Sequence, residues 1–234
     1  MSRLRDTCFR LGLIITVTLV AGPACLCPPC EGAAQAPSGA AVAPGQASRA
    51  PAGSRLVIWD GDGNGMSGGE SWADCDKKPD CKAKLEVVPG VGKDGSTGLK
   101  FHAEGPGWNG FGWNWFGWWP ETAGSDLSPY QDFVFWIRVE AESTDQAPVL
   151  DGMSASLGCS KGKKSSANGQ ISKYAKDVLD GKWHRVAIPL ADLLQGKEGA
   201  EFDPQTAWEF RFGTWSPSVR NFTVYFDDIA AESP

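Results

Sequence analysis

Between Trp108 and Trp119 the chain places seven aromatic rings in twelve residues: Trp108, Phe111, Trp113, Trp115, Phe116, Trp118 and Trp119. Gly110, Gly112, Gly117, Asn109 and Asn114 fill the gaps. Successive side chains of a strand point to opposite faces, so no single strand buries all these rings on one side. The run therefore has to serve two surfaces. Alternation puts Phe111, Trp113, Trp115 and Trp119 on one, opposite Gly112, Asn114, Phe116 and Trp118. One bulge would exchange Trp113 and Trp115 for Phe116 and Trp118.

The rest of the chain reads as strands. Short runs rich in β-branched and aromatic residues recur at Leu56–Trp59, Ala83–Val88, Gly98–Ala103, Phe111–Trp118, Phe133–Val139, Val149–Leu157, Trp183–Pro189, Trp208–Thr214 and Phe222–Asp228, separated by Gly, Pro, Asn and Asp. Only residues 189–195 suggest a helical turn, with Leu190, Leu193 and Leu194 on one side. This pattern predicts an all-β fold, a single-domain β-sandwich or jelly roll, and excludes a parallel α/β fold. In Phe133–Val139 the residues Phe133, Phe135, Ile137 and Val139 share the apolar face, opposite Val134, Trp136 and Arg138. In the strand from Trp208 the apolar row is Trp208, Phe210, Phe212 and Thr214, opposed by Glu209, Arg211 and Trp215.

The apolar rows belong to a core. If the strands are neighbours, the other rows form a second surface of Asn114, Phe116, Trp118, Trp136, Arg138, Glu209, Arg211 and Trp215. Such a surface suits sugars: rings pack against the C–H face of a pyranose, while Arg, Glu and Asn pair with its hydroxyls. The competing reading is a second small core covered by loops.

The first 24 residues read as an export signal: Arg3, Arg5 and Arg10 precede the apolar run from Leu11 to Ala21, too short to span a membrane. Cys25 follows Ala24 as in a bacterial lipoprotein signal, which makes it a candidate lipidation site, although Gly22-Pro23 match the usual motif poorly. Residues 25–54 form a linker in which 19 of the 24 positions from Glu31 to Ser54 are Ala, Gly, Pro or Ser. Cys27 and Cys30 fall in the export segment or tether, without the folded context of a redox pair. The folded domain is placed at 55–232. The expected location is secreted or anchored at the bacterial cell surface or outer membrane, with membrane contact only through a lipid at Cys25.

Losing Arg3, Arg5, Arg10 and Asp6 takes the formal charge from −6 to −8. An acidic domain is a poor partner for nucleic acid. In an oxidising compartment Cys75 and Cys81 are placed to close a short loop, leaving Cys159 free or paired with one of them.

Several stretches then line up in order: Trp59-Asp60-Gly61-Asp62 with Gly68-Gly69 and Trp72; Gly98-Leu99-Lys100-Phe101; and Asp126-Leu127-Ser128-Pro129-Tyr130 leading to Phe135-Trp136-Ile137-Arg138. Asp180-Gly181-Lys182-Trp183-His184, Ile188-Pro189-Leu190, Phe212-Gly213-Thr214-Trp215 and Tyr225-Phe226-Asp227-Asp228-Ile229 follow. In these the chain resembles the galactose-binding-like β-sandwich carbohydrate-binding modules, nearest the family 11-like modules of secreted bacterial glycan-binding proteins, from about Ile58 to Ile229. The resemblance implies non-catalytic binding of polysaccharide or glycan. It also implies a structural calcium at Asp60, Asp62 and Asp227, a set of hard oxygen ligands. An EF-hand is rejected, because Ser71 stands at the twelfth position of the Asp60 loop.

The same fold serves protein–protein roles in the complex I assembly factors, the alternative reading. A carbohydrate-active enzyme ranks below both. His102 and His184 are the only histidines and are far apart, no nucleophile elbow or phosphate loop is present, and only Glu209 with Asp151 offers a nominal acid pair.

Overall fold

The computed structural model describes residues 49–63, 71–76, 81–116, 123–217 and 221–234. Its strands run from Arg55 to Glu232 and form two antiparallel sheets packed as a sandwich. Sheet one contains β1 (Arg55–Trp59), β3 (Lys82–Val88), β4 (Gly98–Glu104), β6 (Asp132–Ala141), β10 (His184–Pro189) and β12 (Asn221–Glu232). Its order is β10-β6-β12-β4-β3, with β1 also pairing β12. Sheet two contains β2 (Ser71–Cys75), β5 (Gly107–Asn114), β7 (Ser154–Cys159), β8 (Lys164–Ser165), β9 (Gly169–Gln170) and β11 (Ala207–Ser216). Its order is β2-β5-β11-β7-β8, with β9 also on β7.

The core lies between the sheets and is built from the rows that alternation marked as apolar. Phe133, Phe135, Ile137 and Val139 of β6 are buried, as are Phe111 and Trp113 of β5 and Trp208, Phe210, Phe212 and Thr214 of β11. Rings from opposite sheets meet directly: Phe226 lies 4.9 Å from Phe212, Phe101 lies 5.2 Å from Phe111, and Phe135 lies 5.2 Å from Phe210. Edge and tilted approaches of this kind are the favoured aromatic geometry.

Besides the short β8 and β9, three strand segments differ from the sequence expectation. The aromatic strand runs Gly107–Asn114 instead of Phe111–Trp118, and Trp115 and Phe116 form the turn after it. Trp115 reaches the core from that turn: its backbone N–H donates to the Trp208 carbonyl at 3.0 Å and its indole N–H to Ser125 Oγ at 3.2 Å. The strand expected at Val149–Leu157 begins only at Ser154, because Leu150–Gly152 closes a single 3-10 turn first. Strand β2 was not anticipated; its five residues, Ser-Trp-Ala-Asp-Cys, are too few and too polar for periodicity to mark.

Among the described residues helix is confined to short pieces, α1 (Ile171–Tyr174), α2 (Leu190–Leu193) and α3 (Gly196–Glu201), of which the first and third were not expected. The second falls within the helical turn expected at 189–195. Among the described residues no helix is long and apolar enough to cross a membrane.

Candidate functional site

The outward face of sheet two has a floor of glycine. Gly110 and Gly112 of β5 alternate with the buried Phe111 and Trp113, so they point outward; Gly213 of β11 pairs with Gly110, and Arg211 pairs with Gly112. Two indoles lie across this floor. A Cβ on Gly112 would stand 2.1 Å from Trp72 Nε1, and one on Gly110 would stand 2.5 Å from the Trp108 ring. No side chain larger than hydrogen fits under either ring. Trp72 and Trp108 are 6.3 Å apart between centroids and inclined by only 27°. Trp108 is 36% exposed, and Trp215, its cross-strand partner, is 52% exposed.

Trp108 is held through its backbone. Its N–H donates to Asp76 Oδ2 at 3.0 Å and its carbonyl accepts from the Asp76 N–H at 2.9 Å. Asp76 follows Cys75, which is disulfide-bonded to Cys81, and Cys159 is a buried free thiol. The link therefore fastens the edge strand that carries Trp72.

Beside the rings the face turns polar. Ser154, Ser156, Ser165, Asn168, Glu198 and Arg211 share with Trp72 and Trp108 a cleft of about 350 Å³. At its base Glu209 is almost wholly buried, accepting from the Trp72 indole N–H at 2.8 Å and from Arg211 Nε at 2.5 Å. Arg211 in turn donates to Ser165 Oγ. An apolar platform and a row of fixed hydrogen-bonding groups thus line one cleft, the combination that binds a ring with one apolar face and a polar rim.

The structure does not bring the eight expected residues onto one surface. Glu209, Arg211 and Trp215 share the outward face of sheet two. Asn114 lies in register with Glu209 but is fully buried, and Phe116 is exposed in the turn beyond β5. Trp118 lies outside the described residues, as do Trp119 and Cys25. Trp136 and Arg138 are on the other side of the sandwich: β6 pairs with β10 and β12, not with β5 or β11. Alternation separates the two faces of a strand but carries no information about which sheet the strand joins. Trp72 and Trp108, the rings across the glycine floor, were not among the expected residues, although Trp108 shares the phase of Gly110 and Gly112.

The outward aromatics of sheet one are arranged differently, because cations cover them. The Lys93 ammonium sits 4.6 Å over the Trp136 ring. The Arg138 guanidinium lies 4.3 Å from Tyr225 and 5.2 Å from Trp183. These are cation–π contacts, each setting a cation against one face of a ring.

Asp60, Asp62 and Asp227, the residues expected to hold calcium, line an open depression with Lys93, Asp94, Ser96 and Asp228. The Asp227 carboxylate is already engaged. It accepts from the Lys93 N–H at 2.7 Å, Ser96 Oγ at 2.6 Å and the Asp228 N–H at 2.7 Å, tying the loop before β4 to β12. Asp60 Oδ1 accepts from the Asp62 N–H at 3.0 Å. Among the described residues no three His, Cys, Asp or Glu side chains converge as a metal centre. Calcium takes six to eight oxygens, and here the Asp227 carboxylate is shared with three donors of the protein itself.

Burial raises the Asp227 carboxyl above its ordinary value of 3.8, outweighing its three donors. The folded state therefore holds this proton more tightly than the unfolded chain. That contribution is complete below pH 3.8 and is lost as pH rises through the raised value. Above it the buried anion depends on its donors. Ser96→Ala should thus cost about 1–2 kcal/mol in urea unfolding at pH 7, and distinctly less near pH 3.5, where the group is protonated.

A family model described as carbohydrate binding domain 30 matches residues 55–233. No curated protein matches the chain. Among solved structures, a β-1,2-glucanase from Parabacteroides distasonis is similar with a TM-score of 0.51 and 18% identity, over 78% of this chain. The chain spans only 25% of that enzyme, so the likeness is one of fold. A family 30 carbohydrate-binding module matches with a TM-score of 0.48 and 22% identity, over 78% of this chain and 85% of that one. The family 11 module of the cellulosomal cellulase Lic26A-Cel5E of Clostridium thermocellum matches with a TM-score of 0.49 and 12% identity, over 79% and 97%.

Proposed function

This chain belongs to the carbohydrate-binding domain 30 family, and from that membership we propose that it holds a polysaccharide on the outward face of sheet two, across Trp72 and Trp108. The observation that carries this reading is the pair of indoles laid nearly parallel over glycine, beside the polar row of Ser156, Ser165 and Arg211. A pyranose stacked on the rings puts its apolar C–H face against them and its equatorial hydroxyls toward that row. Trp215 extends the platform at its exposed end. On the sheet-one side, Trp136 and Trp183 each already carry a cation, Lys93 and Arg138, against the ring.

Binding proceeds without catalysis in this reading. A retaining or inverting glycosidase needs one carboxyl free to donate a proton. Glu209 cannot supply it, because its two oxygens accept from Trp72 and Arg211. The export signal, the linker at 25–54 and a lipid at Cys25 would place the domain outside the cell on a tether.

Affinity electrophoresis through gels containing neutral polysaccharides tests the reading. Retardation by at least one polysaccharide, with no release of reducing ends, is the expected result; free migration through all of them contradicts it. Calcium at Asp60, Asp62 and Asp227 has its own test. Since Asp227 already serves as a staple within the protein, excess EDTA should leave Tm unchanged, and a fall in Tm would establish a bound ion.

A further inference from the structure

We propose that Glu209 is a positioning residue of this site, fixing the Trp72 platform and the Arg211 hydroxyl-reading group through one buried carboxylate. The inference rests on the polysaccharide reading above. Glu209 sits on central strand β11, and its side chain is 1% exposed, so it touches no ligand itself. It lies in a slot walled by glycine: a Cβ on Gly112 would come within 2.3 Å of its Oε1, and one on Gly158 within 2.6 Å of its Oε2. From this slot it accepts from the indole N–H of Trp72, on edge strand β2, and from the guanidinium of Arg211, which donates onward to Ser165 on β8.

The chain Trp72–Glu209–Arg211–Ser165 therefore crosses the sheet from β2 to β8 and joins the stacking half of the cleft to its polar half. Glycine beneath the Trp72 indole leaves room for the ring, and a charge-assisted bond at its one polar atom fixes where it lies. Arg211 is likewise the longest side chain of the polar row, and its two bonded neighbours keep it from sampling other rotamers. Both groups meet the ligand already ordered, which removes the cost of ordering them on binding.

Glu209→Gln keeps the shape but removes the charge and leaves a single oxygen for two donors, so the bonds to Trp72 and Arg211 both weaken. Polysaccharide affinity is expected to fall about tenfold, as for loss of a charged hydrogen bond. Trp72→Phe keeps a ring and removes the donor, and its effect should not add to that of Glu209→Gln. In the ligand-free protein the Trp72 indole N–H, followed by hydrogen exchange in nuclear magnetic resonance spectra, should exchange faster in Glu209→Gln than in the wild type. A merely structural role would not move that proton selectively.

If the wild type binds polysaccharide while Glu209→Gln binds equally well, or if the two substitutions add fully, the positioning role is wrong. If the wild type binds no polysaccharide, the binding reading fails, yet the exchange comparison still decides whether Glu209 holds Trp72. Should Glu209→Gln not fold, Trp72→Phe and Arg211→Gln probe the link across the intact carboxylate: coupled losses support it and additive losses overturn it.

Discussion

Replacing both Trp72 and Trp108 by alanine should abolish measurable polysaccharide binding while leaving the domain folded. One indole face covered by a sugar removes roughly 80 Å² of apolar surface from water on the ring side alone. At about 25 cal/mol per Å² this is ~2 kcal/mol per ring, some thirtyfold in affinity for each. The two losses together approach a thousandfold as an upper limit, because the rings are near neighbours and their effects need not be independent. Neither ring belongs to the core between the sheets; both lie outside it on the glycine floor. Stability should fall by about 1–3 kcal/mol, because the buried Glu209 loses its Trp72 donor, which is less than the combined loss of binding. Isothermal titration with a soluble polysaccharide, alongside urea unfolding of the same samples, separates the two effects.

Phe226→Ala is expected to act in the opposite sense, on stability first. Phe226 is fully buried on β12 and packs against Phe212 at 4.9 Å, Phe111 at 5.2 Å, Phe210 at 5.5 Å and Phe135 at 5.9 Å. Three of these partners belong to sheet two and one to sheet one, so this ring joins the layers. Its removal loses the transfer free energy of the ring and leaves a cavity that the stiff flanking strands cannot collapse into. The cost should be about 3–5 kcal/mol, a large share of a domain stability of about 5–15 kcal/mol. Urea unfolding should show a lower midpoint with an unchanged slope, and Tm should fall by about 10 °C.

The sandwich was legible in the sequence wherever a strand buries one face only. Phe133-x-Phe135-x-Ile137-x-Val139 and Phe210-x-Phe212 place their rows by period two alone, and those rows form the core, whereas Trp208, at the irregularity between Ala207 and Glu209, is buried outside that cluster. The site was legible only in part, because it depends on contacts between distant segments. Trp136 alternates with Phe135 and Ile137 as clearly as Arg211 does with Phe210 and Phe212, yet the chain changes sheets between β5 and β6, and no local pattern marks that change. Asn114 and Glu209 are polar and were read as surface groups. Asn114 is sealed in at the strand end, and Glu209 is roofed by groups that it hydrogen-bonds itself.

The glycines held the missing information. In an otherwise aromatic strand, Gly110 and Gly112 are absences of side chain on one face, and such a gap implies that something else occupies the space. That occupant proves to be Trp108 from the same strand and Trp72 from β2. The aromatic run is thus a core row on one side and a cleared floor on the other. Among its described indoles the most exposed, Trp108, comes from the very start of the run.

The central claim is that polysaccharide meets sheet two and not sheet one. The direct measurement is the set of tryptophan indole N–H resonances, assigned in the unmodified protein and followed as a soluble oligosaccharide of a bound polysaccharide is added. The indoles of Trp72, Trp108 and Trp215 should shift and saturate together, while those of Trp136 and Trp183 stay in place. Saturating shifts at Trp136 and Trp183, with Trp72 and Trp108 unmoved, would contradict the account.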